Sequence, residues 1–120
     1  MQVEKGIYLS PEVRYELKKI TCVYHITLKN LIPALLLHIT DRLEDSYYEH
    51  AYYPPGPRKL KNIVIEESVY DRLKIRAYTL DMKLNDFINI GIMAFVRYCD
   101  IETFIVSNTY SLRHTGKNRA

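Results

Sequence analysis

A chain of 120 residues, 48% of them hydrophobic, has material for one compact core, as a single domain or as two very small units sharing it. No apolar run approaches the roughly 18 residues that span a bilayer and no signal-type segment opens the chain, so a soluble, cytoplasmic protein is expected. The net charge of +3 is too mild to name a partner, but it is unevenly spread: after an acidic stretch, Arg58, Lys59 and Lys61 cluster.

Residues 3–9 alternate, with Ile7 and Leu9 on one side and Gly6 and Tyr8 on the other, which predicts a short strand. Ser10-Pro11-Glu12 then supplies an N-cap, a proline at the first helical position and an acid in the first turn. The helix that follows reaches about His25 and carries Val13, Leu17, Ile20 and Tyr24 at helical spacing. Thr27 can cap a second helix with the stripe Leu28, Leu31, Ile32, Leu35, Leu36, Ile39 and Leu43, wide enough to be buried on more than one side. Pro33 removes a helical hydrogen bond if Thr27 is the cap and is tolerated if the helix starts at Asn30; spacing does not choose between them.

Residues 45–60 read as a linker, with Tyr47, Tyr48, Tyr52 and Tyr53 ahead of Pro54, Pro55, Gly56 and Pro57. Its tyrosines are expected to cover the core, a contact surface being the other reading. A second strand is predicted over 62–66, and a helix opening at Glu67-Ser68 carries Val69, Leu73, Ala77 and Leu80. The last helix carries Leu84, Phe87, Ile88, Gly91, Ile92, Phe95 and Cys99, and Gly91 inside this stripe predicts close helix approach. Residues 103–106 read as a short extra strand, and from Ser107 the chain reads as a polar, basic, largely disordered tail. Cys22 and Cys99 fall on helical positions in no CxxC pattern, which predicts buried, reduced thiols.

The chain repeats itself. Slid by 56 positions, Lys5–Leu43 lies over Lys61–Cys99 without a gap. Ile7 falls on Ile63, Leu9 on Ile65, Val13 on Val69, Leu17 on Leu73, Leu28 on Leu84, Ile32 on Ile88 and Leu36 on Ile92. A match of apolar positions at a fixed period marks a duplicated structural unit. Residues 3–44 and 61–101 are then two units of one domain, joined by 45–60 and followed by a basic, mostly flexible tail over 102–120.

Strand, helix, helix, made twice, resembles the ribbon-helix-helix family of DNA-binding proteins. The likeness rests on Ile7-x-Leu9-x-x-x-Val13-x-x-x-Leu17 and Ile63-x-Ile65-x-x-x-Val69-x-x-x-Leu73, and on the openings Thr27-Leu28-Lys29-Asn30 and Lys83-Leu84-Asn85-Asp86. It covers about two-thirds of the chain. The resemblance implies a mainly α protein with a short two-stranded antiparallel β-ribbon, its two tandem units forming an intramolecular pseudo-dimer. The single-chain tandem regulators of archaeal viruses are similar in plan. A ribbon of this kind fits the major groove of double-stranded DNA, which makes a sequence-specific transcriptional regulator, such as a repressor, the expected function.

On that resemblance the ribbon's outward residues Gly6, Tyr8, Asn62 and Val64 would contact bases, beside Glu4 and Leu60. Lys5, Arg58, Lys59 and Lys61 would flank the ribbon and bind phosphates. The openings of the second helix of each unit, with Thr27, Lys29, Lys83 and Asn85, would add backbone N–H groups and charge toward the same phosphates. Chains are expected to associate on adjacent sites. No cofactor, metal, membrane or small-molecule ligand is indicated: His25, His38, His50 and His114 are scattered, and no glycine-rich phosphate loop is present. An enzyme is therefore not expected. The rival reading is a protein-interaction module, antitoxin-like or a host-protein inhibitor, that keeps this fold without reading DNA.

Overall fold

A computed structural model describes residues 1–49 and 51–113. His50, His114, Lys117 and Arg119 lie outside the described residues. The protein is mainly helical around one two-stranded antiparallel sheet. Strand β1 (Gln2–Leu9) leads into helix α1 (Pro11–Tyr24) and helix α2 (Leu28–Arg42). A 3-10 turn (Asp45–Tyr48) and an irregular stretch connect to strand β2 (Lys59–Glu66), helix α3 (Glu67–Thr79) and helix α4 (Leu84–Tyr98). Two short helices, α5 (Ile101–Ser107) and α6 (Thr109–Arg113), close the described chain.

The 56-residue repeat is visible in the backbone. Leu28–Arg42 moved by 56 positions gives Leu84–Tyr98, the bounds of α4. His25 and Asp81, also 56 apart, both adopt the left-handed region at φ 56° and 58°. Beyond each, a backbone N–H reaches back five residues: Ile26 donates to the Thr21 carbonyl at 3.2 Å and Met82 to the Ala77 carbonyl at 2.8 Å. This is how a helix ends without glycine: the left-handed residue costs about 1–2 kcal/mol, offset by satisfied carbonyls.

The strands pair with Gly6 opposite Asn62, Lys5 opposite Ile63, and Ile7 opposite Lys61. Gly6 and Asn62 are themselves 56 positions apart, so the register is centred on one repeat-equivalent pair. Ile7, Leu9, Ile63 and Ile65 turn inward and are buried, while Glu4, Gly6, Tyr8, Leu60, Asn62 and Val64 face out. Each half's second helix lies against the other half's strand, α2 on β2 and α4 on β1, and α2 packs directly on α4. The result is one shared core.

Several expectations change. Helix α2 starts at Leu28, with the Thr27 hydroxyl accepting the Asn30 N–H at 3.2 Å, so Pro33 lies inside the helix and the Lys29 carbonyl loses its helical donor. Ser10 stands at the N-cap of α1 but its hydroxyl does not cap; it donates to the Pro54 carbonyl at 3.2 Å and ties the linker down. Strand β2 begins at Lys59, so Lys59 and Lys61 belong to the ribbon rather than flanking it. Residues 103–106 are not a strand. Asp100 caps α5, accepting from the Thr103 N–H at 3.3 Å, and Phe104 and Ile105 enter the core.

The tail expected to be disordered from Ser107 is helical to Arg113. Leu112 is buried, its carbonyl accepts from the Asn30 amide at 2.9 Å, and Arg113 donates to the Tyr24 carbonyl at 2.8 Å. Cys22 is exposed rather than buried, because it lies off the Val13, Leu17, Ile20 stripe, and Cys99 is half-buried. Of the linker tyrosines, Tyr48 is buried and stacks on Phe87 at 4.7 Å, while Tyr52 and Tyr53 are exposed. Tyr52 donates to Glu12 at 2.6 Å and lies under the Arg97 guanidinium at 4.0 Å, so the linker is held on the protein. No single helix among the described residues is long and apolar enough to cross a membrane.

Candidate nucleic-acid interface

Strand alternation puts every second ribbon residue on the outer face, which no described element covers. Four cross-strand pairs make up this face: Gln2 with Glu66, Glu4 with Val64, Gly6 with Asn62, and Tyr8 with Leu60. Its side chains include no cation, two acids, Glu4 and Glu66, the latter paired with the Met1 ammonium at 3.0 Å, and three large exposed apolar groups, Tyr8 at 46%, Leu60 at 54% and Val64 at 42%. Gly6 leaves room for a neighbour. A Cβ there would come within 2.7 Å of Leu60 Cδ1, so Leu60 leans across the centre of the ribbon toward Asn62.

The cations surround this face rather than lying on it. Lys5, Lys59 and Lys61 alternate onto the helix side of the ribbon, and the Lys5 ammonium lies 5.0 Å from the centre of the Tyr70 ring, which Lys74 also approaches at 5.3 Å. Lys29 and Lys83, in the openings of α2 and α4, are exposed and have no ion-pair partner among the described residues. Both are placed where a phosphate would meet their charge together with first-turn N–H groups.

Two of the residues expected to bind phosphate are engaged inside the fold. Asn85 accepts the Tyr8 N–H at 3.0 Å, and Arg58 is paired with Asp86 at 2.7 Å. Thr27 caps its own helix. Sequence reasoning missed Asn89, which is fully buried and holds the end of β1 from α4. Its amide accepts the Ser10 N–H at 2.8 Å and donates to the Tyr8 carbonyl at 2.9 Å. An asparagine within an apolar stripe was the available signal. This clasp fixes where Tyr8 points on the outer face.

A second concavity, about 520 Å³, lies between α2, α4 and α5, lined by His38, Asp41, Arg42, Phe95, Asp100 and Phe104 among others. The His38 ring meets Phe95 and Phe104 edge-on at 5.2 and 5.3 Å. Burial, and then the nearby Arg42 charge, hold its pKa below the ordinary 6.5. The unfolded chain therefore takes up this proton first as pH falls, and stability declines as pH drops through 6.5 toward the lower folded value. Urea unfolding at pH 7.5 and 5.5 should show this loss, and His38→Gln should reduce it; an equal loss in the variant would place its origin elsewhere.

Among the described residues no three His, Cys, Asp or Glu side chains converge to hold a metal ion. Comparison with protein-family models, curated proteins and solved structures finds no match for the chain.

Proposed function

We propose that the chain is a sequence-specific double-stranded DNA-binding transcriptional regulator, built as two tandem ribbon-helix-helix units that form a pseudo-dimer within one polypeptide. The observation that carries this reading is the ribbon register. Its central pair, Gly6 and Asn62, joins equivalent positions of the repeat, and each half's second helix packs on the other half's strand. A two-stranded ribbon with an uncovered outer face is narrow enough to enter the roughly 12 Å major groove. The exposed Lys29 and Lys83 would then meet the phosphates beside it, with Lys59 and Lys61 supplying charge along β2.

Fluorescence anisotropy with a random duplex tests this directly. Binding should weaken steeply with salt, and Lys29→Ala with Lys83→Ala should reduce the slope of log affinity against log salt by about 1 for every phosphate no longer neutralised. Lys59→Ala with Lys61→Ala should act the same way. No affinity at about 50 mM salt, where nonspecific binding is easily seen, would rule the reading out.

The exposed Tyr8, Leu60 and Val64 favour one alternative, a protein-interaction module using the same face. That reading predicts partner binding weakened by Leu60→Ala and little changed by salt.

A further inference from the structure

Resting on the DNA-binding reading, the chemistry of the outer face says which bases it would read. Guanine is recognised in the major groove mostly by Arg or Lys reaching O6 and N7. The outer face, which is Gln2, Glu4, Gly6, Tyr8, Leu60, Asn62, Val64 and Glu66, contains neither. Of its two amides, Gln2 lies at one end, while Asn62 stands at the centre opposite a residue without a side chain, so it can project between the strands. An Asn amide matches the N6 donor and N7 acceptor of adenine. The Leu60 side chain lies across Gly6 beside it, and Val64 and Tyr8 continue the apolar surface on either side of the centre. The one feature of a base pair that apolar side chains recognise in this groove is the thymine C5 methyl.

We propose that the ribbon reads an A·T core through thymine methyl groups, with Leu60 and Val64 as the residues that determine specificity and Asn62 fixing a central adenine. Outer positions advance by two residues, about 6.8 Å, close to two base-pair steps, so the four pairs span about six or seven base pairs. The two ends differ. Tyr8 and Leu60 form one, which takes thymine methyls. Gln2 and Glu66, with Glu4 and Val64 beside them, form the other, where the Glu4 carboxylate can also accept from cytosine N4. The preferred site is therefore not palindromic.

The test uses the full chain and four duplexes of one length in anisotropy titrations: A·T-rich, G·C-rich, the A·T-rich duplex with every thymine replaced by deoxyuridine, and the G·C-rich duplex with 5-methylcytosine. Deoxyuridine removes only the methyl group, and 5-methylcytosine restores one. The A·T-rich duplex should bind on the order of tenfold or more tightly than the G·C-rich one. Most of that margin should vanish with deoxyuridine and part of it return with 5-methylcytosine. Leu60→Ala should bring the thymine duplex down to the deoxyuridine level. Equal binding of all four duplexes, or an A·T preference that survives deoxyuridine, overturns the thymine-methyl proposal while leaving DNA binding intact. No binding to any duplex overturns both.

Discussion

Replacing Asn89 by Leu is expected to lower the free energy of unfolding by about 2–4 kcal/mol, from one buried and one part-buried backbone group that lose their side-chain partner. Asn89 and Ser10 are both fully buried, so when the Asn89 amide is removed no water replaces it at the Ser10 N–H. The Tyr8 carbonyl loses its donor at the same time. Leu keeps the branching of Asn at Cγ, is not smaller and belongs in an apolar stripe, so no cavity contributes. The loss is one of hydrogen bonding. Urea unfolding with an unchanged m-value measures it, and a loss under about 0.5 kcal/mol would mean that the amide is not the clasp described.

Gly91→Ala should destabilise by about 1–3 kcal/mol through overpacking, even though alanine gains about 1 kcal/mol of helix propensity. A Cβ at this position would collide with the Tyr48 hydroxyl and come within 3.0 Å of Ile39 Cγ2. Tyr48 cannot easily move away. Its ring stacks on Phe87, its hydroxyl is 3.4 Å from the Phe87 carbonyl, and the Arg76 guanidinium lies 6.0 Å from its centre. Tyr48→Phe removes the colliding oxygen, so Gly91→Ala should cost much less in that background. If the cost is the same in both, Ile39 is the obstacle and the linker is not.

The strands and first four helices are legible in the sequence because their apolar spacing repeats, although spacing leaves the start of α2 open between Thr27 and Asn30 and places the start of β2 at Asn62 rather than Lys59. Ile7, Leu9, Ile63 and Ile65 are buried as their alternation predicts. Residues 103–106 mislead because Phe, Ile and Val in a row favour a strand locally. The Asp100 cap with Thr103, and Ile101, Phe104 and Ile105 at helical spacing, are the stronger signal. The partners of single polar groups are the least legible part. Asn85 and Arg58 look like surface phosphate binders in one dimension, but Tyr8 reaches Asn85 only after the halves interlock, and Asp86 reaches Arg58 only once α4 folds back beside the start of β2. Gly91 does mark a close approach, yet the group it admits is a linker tyrosine as well as the facing helix.

The interlock of α2 on β2 and α4 on β1 also bears on how such a chain can change over time. In an assembly of two identical chains, every substitution appears twice and must suit both places. Here the halves are made in a fixed one-to-one ratio, and the linker holds them at a high effective concentration, on the order of millimolar for short flexible tethers. A feature needed once has to be encoded only once. Asn89 clasps one strand end, whereas the position 56 residues earlier holds Pro33, which can donate no hydrogen bond. Asn85 binds backbone where its counterpart Lys29 is an exposed charge. Freed from identity, each half can specialise while the shared core keeps the pair together.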